Sequence, residues 1–305
     1  MLRPLKDAFL VKVHKKKHDT ISIGGKELFL DVDFNRYGHA VQYGIVASVP
    51  MRISHRYENE HGHTIGFYGH QINTGDKIYF HHFVTEPENT YNIEGQELHL
   101  CQYAQTYCVI RDGEIEMIED WLLAELVMED ESNLRSASGI YLKPELEKIP
   151  GIAVIRHLSK VCKEQGMREG DTIVYKKDAD YMMEVEGKNY YRMKAWNVAV
   201  IIRDGKLVPV RDTIVIKEHP QQNDVVAGIE IVALKKKKQQ YATVLSLGEQ
   251  VEPFNFDLNE KEFKQFGIGD TVVYHNGTAG YVEHEKQTYG IIESGNILGF
   301  INGNS

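Results

Sequence analysis

Three times along the chain a Gly-Asp dipeptide opens a run of β-branched and aromatic residues. Gly75-Asp76 precedes Lys77-Ile78-Tyr79-Phe80, Gly170-Asp171 precedes Thr172-Ile173-Val174-Tyr175, and Gly269-Asp270 precedes Thr271-Val272-Val273-Tyr274. Short runs of this composition, bounded by turn residues, read as strands. A second marker keeps the same step: Arg111-Asp112-Gly113, then Arg203-Asp204-Gly205, then Asn302-Gly303. Two independent markers at one interval of about a hundred residues predict three tandem copies of a single β-rich unit. Asp-Gly suits a two-residue type I′ hairpin turn. Such turns are therefore expected where one copy passes into the next, dividing the chain into 1–112, 113–204 and 205–305.

The remaining runs fall into this register. Asp7 to Val13 reads as the opening strand of the first copy, and Asp212 to Ile216 as that of the third. The matching segment of the second copy, Trp121 to Met128, is rich in Leu, Ala, Glu and Met and would pass for a helix in isolation. Turn chemistry before it and the repeat register both argue for a strand. After the opening strand of the first copy comes a polar stretch with Lys15-Lys16-Lys17, the pair Gly24-Gly25 and the apolar Leu28-Phe29-Leu30. It reads as a flexible excursion with an apolar patch at its far end. Ala40 to Val49 is a further strand run interrupted by Gly44, and Arg52 to Gln71 a long surface hairpin or loop carrying His55, His61, His63 and His70. In the third copy, Leu258 to Phe266 is expected as a short helix closed by Gly267.

Composition narrows the class. At 42% hydrophobic residues the chain can build packed cores. A formal charge of −9 gives no support to nucleic-acid binding. Cys101, Cys108 and Cys162 have no CxxC spacing, and reduced, half-buried thiols in a cytoplasm are the simplest reading. Met1 to Asp7 lacks an apolar signal-like core, and no segment is continuously apolar over a membrane span. The expectation is a soluble cytoplasmic protein.

The order of elements is opening strand, Gly-led loop with an apolar triplet, Gly-containing strand, Gly-Asp strand, Glu-Gly hairpin and closing strand. It resembles the GroES family of co-chaperonins. The resemblance rests on Arg3-Pro4-Leu5-Lys6-Asp7 with Val11-Lys12, on Gly24-Gly25, on Thr74-Gly75-Asp76, and on Gly139-Ile140-Tyr141-Leu142, which lies close to the family's Gly-Ile-Val-Leu loop signature. Gly228-Ile229-Glu230-Ile231 is a weaker copy. Taken three times, it implies an all-β chain of three tandem GroES-like small β-barrels with long loops. It also implies a ring-forming homo-oligomer, and a lid function on a GroEL-type chaperonin that itself binds the ATP. Partner-binding residues on this reading are Gly24, Gly25, Leu28, Phe29 and Leu30 in the first copy, Gly139, Ile140, Tyr141 and Leu142 in the second, and Gly228, Ile229 and Ile231 in the third. The divergence and fusion of the units suggest a phage-encoded form.

No nucleophile elbow, P-loop or dinucleotide fingerprint is present, and the expectation is a protein without enzymatic activity, cofactor or metal. The histidines of the first copy, with His81 and His82, lack the acidic or cysteine partners that a metal site requires, and a solvated loop is the plainer reading. The lysine runs Lys15 to Lys17 and Lys235 to Lys238 read as loop charges able to steer an acidic partner. Three fused units do not tile a seven-unit ring, whereas two chains give six units and four give twelve. That arithmetic keeps a second function open: a structural virion or ring component that reuses the barrel.

Overall fold

The computed structural model describes residues 3–4, 7–14, 20–29, 40–51, 55–58, 64–68, 72–128, 148–176, 179, 181–220, 224–226, 229–231, 239–251, 254–256, 262–264 and 266–301. The described chain is mostly β-strand, in several antiparallel sheets, with one short α-helix at Lys160–Glu164. It divides into two compact units: Met1–Ala124, Arg156–Glu169 and Met182–Trp196 form one, and Glu125–Ile155, Gly170–Tyr181 and Asn197–Ser305 the other.

The first unit holds a seven-stranded antiparallel sheet in the spatial order Glu114–Met117, Thr106–Arg111, Lys77–Phe80, Tyr43–Ser48, Ala8–Lys12, Gln96–Gln102, Thr90–Ile93. Its opening strand is buried on both faces, which is why Phe9, Leu10 and Val11 form a continuous apolar run and do not alternate with polar residues. Phe9 and Val11 enter a core with Val46, Ile78, Phe80, Cys101 and Val109. On the other side of the sheet, Tyr79, Tyr107, Cys108 and Met117 pack against Leu123, Met183, Val185 and Tyr190.

The second unit holds a six-stranded antiparallel sheet in the order Gly280–His284, Gln287–Glu293, Thr213–Glu218, Gln239–Leu247, Thr271–His275, Ile297–Ile301. Its core joins Ile214, Ile216, Val244, Val272, Tyr274 and Ile292. A separate cluster packs Val174, Ala199 and Val200 against Val215, Val282 and Ile291.

Backbone hydrogen bonds recur in threes. Each Gly-Asp turn exchanges two bonds with the neighbouring strand. Gly75 N–H donates to Val46 O at 2.8 Å, Gly170 to Ile155 O at 2.8 Å and Gly269 to Val244 O at 2.9 Å, and the same three acceptors donate back to Asp76, Asp171 and Asp270. Asp7, Asp120 and Asp212 each accept, through the carbonyl, from the first residue of a one-turn 3-10 helix: Tyr103, Ala195 and Ser294.

Turn chemistry behaves as the dipeptides require. Asp112 and Gly113 adopt φ 51° and 83°, and Asp204 and Gly205 adopt φ 51° and 71°, the left-handed pair of a type I′ turn. These turns do not lead directly into the strands Trp121–Met128 and Thr213–Glu218. Such a turn sends its second arm back along the first, so Glu114–Met117 returns on Thr106–Arg111 before Trp121–Met128 begins. Lys206–Pro209 returns on Val198–Arg203 in the same way. Trp121–Met128 is a strand despite its helix formers, because Leu122, Leu123 and Ala124 are all buried against the Lys188–Lys194 partner strand.

Two expectations are corrected. The described part of Leu258 to Phe266 is not helical: Glu262–Lys264 is a strand paired with Phe254–Phe256, with Asn255 opposite Phe263. Pairing with an alternating Phe-Asn-Phe segment outweighs the modest helix preference of Glu and Lys. The short helix lies instead between the strands Lys148–Leu158 and Thr172–Tyr175, where the Ser159 hydroxyl caps it by accepting from the Cys162 N–H at 3.2 Å. The cysteines are also buried more deeply than half: all three are free and shielded from solvent. Burial pushes the Cys101 and Cys108 thiols up to about 12 and Cys162 to about 11.

Candidate functional site

Within the passage between Lys12 and Tyr43, the described residues 20–29 form regular structure where a flexible excursion was expected. Thr20–Ile23 and Lys26–Phe29 pair as an antiparallel hairpin in the register Thr20↔Phe29, Ile21↔Leu28, Ser22↔Glu27, Ile23↔Lys26. Gly24 and Gly25 make its turn at φ 58° and 78°, a conformation for which a residue with a Cβ is strained. Side chains alternate across a strand, so Ile21, Ile23, Lys26 and Leu28 share one face, and Phe29 lies on the other with Thr20, Ser22 and Glu27.

Ile21, Ile23, Leu28 and Phe29 are exposed, Phe29 to 82%. None of them belongs to either unit's core. A two-stranded hairpin without a packed face is marginally stable by itself, and clustered exposed apolar side chains mark a surface that something else covers. The expected triplet Leu28-Phe29-Leu30 is therefore divided: Leu28 joins Ile21 and Ile23, Phe29 faces away, and Leu30 lies outside the described residues. Ile21 and Ile23 were legible as Ile-Ser-Ile alternation, the period of a strand.

A second hairpin stands at the corresponding place in the other unit. Asp224–Val226 pairs with Ile229–Ile231, placing Val226 opposite Ile229, Val225 opposite Glu230 and Asp224 opposite Ile231. It lies between strands Thr213–Glu218 and Gln239–Leu247, as the first lies between Ala8–Lys12 and Tyr43–Ser48. Gly228, and all of Gly139, Ile140, Tyr141 and Leu142, lie outside the described residues. So do His61, His63, His70 and both lysine runs.

Elsewhere the titratable side chains are tied into structural networks. The Glu186 carboxylate accepts from Lys77 Nζ and from the Tyr79 hydroxyl, the latter at 2.9 Å; the Lys77 bond holds its carboxyl below the ordinary range, and burial raises the Tyr79 phenol. Glu218 accepts from the Tyr274 and Tyr281 hydroxyls, and burial with this carboxylate pushes Tyr281 up to about 12. His81 stacks on His82 with ring centroids 4.2 Å apart, and burial, with the nearby His82 and Arg192 charges, lowers it to about 4. The tyrosine hydroxyls donate to these carboxylates, and His81 Nδ1 accepts from the Phe83 N–H at 3.3 Å. Among the described residues, no group of three or more His, Cys, Asp or Glu is arranged to hold a metal ion, and no helix is long and apolar enough to cross a membrane.

The span from Lys206, the residue after the Asp204-Gly205 turn, to Ile301, the last residue of the strand Ile297–Ile301, matches the family described as chaperonin 10 Kd subunit. Residues 206–301 thus carry a GroES-family element, with the hairpin Asp224–Val226/Ile229–Ile231 inside it.

Proposed function

We propose that the chain consists of three tandem GroES-like units, 1–112, 113–204 and 205–305, each closing into a small β-barrel, and that it acts as a co-chaperonin. It docks on a GroEL-type chaperonin through the exposed hairpin Thr20–Ile23/Lys26–Phe29 and its counterparts and assists folding driven by ATP that the partner binds, with no enzymatic reaction of its own. The observation that carries this reading is the exposed Ile21-Ile23-Leu28 face of the first hairpin. Its position in the chain is that of the hairpin inside the span matching the chaperonin 10 family. The matching strand order of the three large sheets, two of seven strands and one of six, and the threefold hydrogen bonds at the Gly-Asp turns support the tandem arrangement. The first hairpin offers a small apolar contact, and several such contacts presented together gain affinity through multivalency.

Assembly of chains fits the same reading. Within the first unit, the second residue of Thr106–Arg111, Tyr107, is 1% exposed, and in the second unit its counterpart in Val198–Arg203, Ala199, is 7% exposed. Both are covered at a joint with the next copy. The counterpart in Ile297–Ile301, Leu298, is 48% exposed. On the opposite side of the joint, Met183 and Val282 each stand three residues before a left-handed turn and are buried, while their counterpart Tyr91 is 45% exposed. Leu298 on one chain and Tyr91 on the next therefore present the two halves of a contact made twice within each chain. We infer head-to-tail assembly.

The direct test mixes the protein with a GroEL-type chaperonin and ATP. The expected result is co-sedimentation and reduced ATPase turnover. A variant carrying Ile21→Ser and Leu28→Ser should lose association while melting at the wild-type temperature. A wild-type protein that fails to associate under any nucleotide condition overturns the proposal.

A further inference from the structure

The two internal joints are built on corresponding strands but differ in the size of three side chains. Tyr43 stands opposite Tyr79 in the first unit, and Ile152 opposite Val174 in the second. Tyr107 and Ala199 are the third corresponding pair. In the first unit the Tyr79 and Tyr107 rings are buried in the joint and Tyr43 lies at its exposed edge: the Tyr43 and Tyr79 centroids are 5.7 Å apart, Tyr107 meets Trp121 edge-on at 4.8 Å, and the Arg192 guanidinium lies 4.2 Å from the Tyr107 centroid. In the second unit Ile152, Val174 and Ala199 leave a cavity of about 220 Å³. Its opposite wall includes Val282 and Ile291, and Ile291 occupies the strand position that Arg192 holds in the first unit.

We infer that this cavity binds a small aromatic molecule of the phenol class. The corresponding joint buries the phenol rings of Tyr79 and Tyr107, with Tyr43 at its edge, so the space left beside Val174 and Ala199 has the width of such a ring. An apolar cavity of roughly 150 Å³ stays dry and accepts benzene, and this one is larger. Its floor is aliphatic, suited to the faces of a ring, and its rim is polar, with Lys176, Tyr281 and Glu283 at the mouth. Lys176 is held by Glu293 at 2.6 Å and the Tyr281 hydroxyl by Glu218 at 2.7 Å, so the rim is fixed by its own partners. A ligand hydroxyl left at this mouth keeps hydrogen-bonding neighbours and water, while the ring is buried.

The probe is 4-methylphenol, titrated into the full chain by calorimetry, with the methyl resonances of Ile152, Val174 and Ile291 followed by NMR. One saturable site is expected, with shifts concentrated on those methyls. Ala199→Tyr refills the space and should weaken binding at least tenfold while the chain remains folded. If Ala199→Tyr fails to fold, the wild-type methyl shifts still decide the matter. No saturation up to the solubility limit, shifts confined to other residues, or unchanged binding by a folded Ala199→Tyr variant overturns the inference. Chaperonin docking uses the hairpins, so failure of that assay leaves this one standing, and the reverse.

Discussion

The Arg203 guanidinium closes on the Asp171 carboxylate through two nitrogen donors, Nε at 3.1 Å and Nη2 at 2.5 Å. Arg111 repeats the pairing on Asp76 at 3.4 and 2.7 Å. The two markers that recur along the chain, Gly-Asp and Arg-Asp-Gly, are thus the two ends of one ion pair. It ties the start of one strand to the end of its neighbour. In the first copy, Asp76 also accepts from the Asn73 N–H at 2.7 Å, so the same carboxylate closes its own turn. Fork-shaped pairing on a carboxylate adds geometric specificity that a single charge does not.

Removing the charge at Asp171 or Asp76 should therefore cost more than a typical surface pair. Both carboxylates are largely shielded, and Asp171→Asn or Asp76→Asn is expected to lower stability by about 1–3 kcal/mol. Arg203→Lys should not be silent, because an ammonium cannot reproduce the two-donor fork. Urea unfolding monitored by tryptophan fluorescence measures these differences, and midpoints equal to wild type would refute the role of the pair.

His81 makes stability depend on pH with a definite sign. Burial, and the charges of His82 and Arg192, lower its folded value from 6.5 to about 4. Between those values the unfolded chain binds more protons than the folded one, so stability rises with pH through this window. The contribution is complete above about pH 6.5 and falls away as pH drops toward 4. His82, lowered for the same leading reason, acts in the same direction. Melting temperatures from pH 4 to 7 should show a shallower slope in His81→Gln than in wild type, and parallel slopes would exclude the histidine as the source.

The three thiols should be silent in the native state. Cys101, Cys108 and Cys162 are buried, and burial raises all three well above the ordinary thiol range. A thiolate is the reactive species, so Ellman's reagent at pH 8 should titrate none of them rapidly in folded protein and all of them in denaturant. Fast labelling of the native chain would show that at least one opens to solvent.

Head-to-tail assembly has a signature that symmetric dimerisation lacks. Leu298→Asp disables one face and Tyr91→Asp the other, and each variant alone should be monomeric in sedimentation velocity. Mixed together, each still presents one intact face, and a one-to-one dimer is expected. Such complementation follows from a heterologous contact, in which different surfaces meet. A mixture that stays monomeric, or a wild-type chain that never assembles, would exclude the contact.

Strand placement along the chain followed from local chemistry. Left-handed Asp-Gly turns, β-branched runs after Gly-Asp and the repeat register were enough to read Trp121–Met128 as a strand against its helix formers. They could not reveal that Glu114–Met117 folds back before the next copy begins, because four residues of mixed polarity carry no periodic signal. Helix propensity is a weak prior at Glu262–Lys264, and its strand depends on pairing with Phe254–Phe256, residues outside the segment Leu258 to Phe266.

What the amino-acid sequence determined by itself were recurring local motifs: three Gly-Asp turns, the strand after each and an apolar run beside a glycine pair, each encoded within a few residues. What only the tertiary structure decided were relationships between distant residues. These include the fork of Arg203 on Asp171, the division of Leu28 and Phe29 between two faces of a hairpin, and the replacement of three joint tyrosines by Ile152, Val174 and Ala199. The physical reason is separation in sequence: such contacts exist only once sheet order and register are set, and the side chains that make them have no local signature.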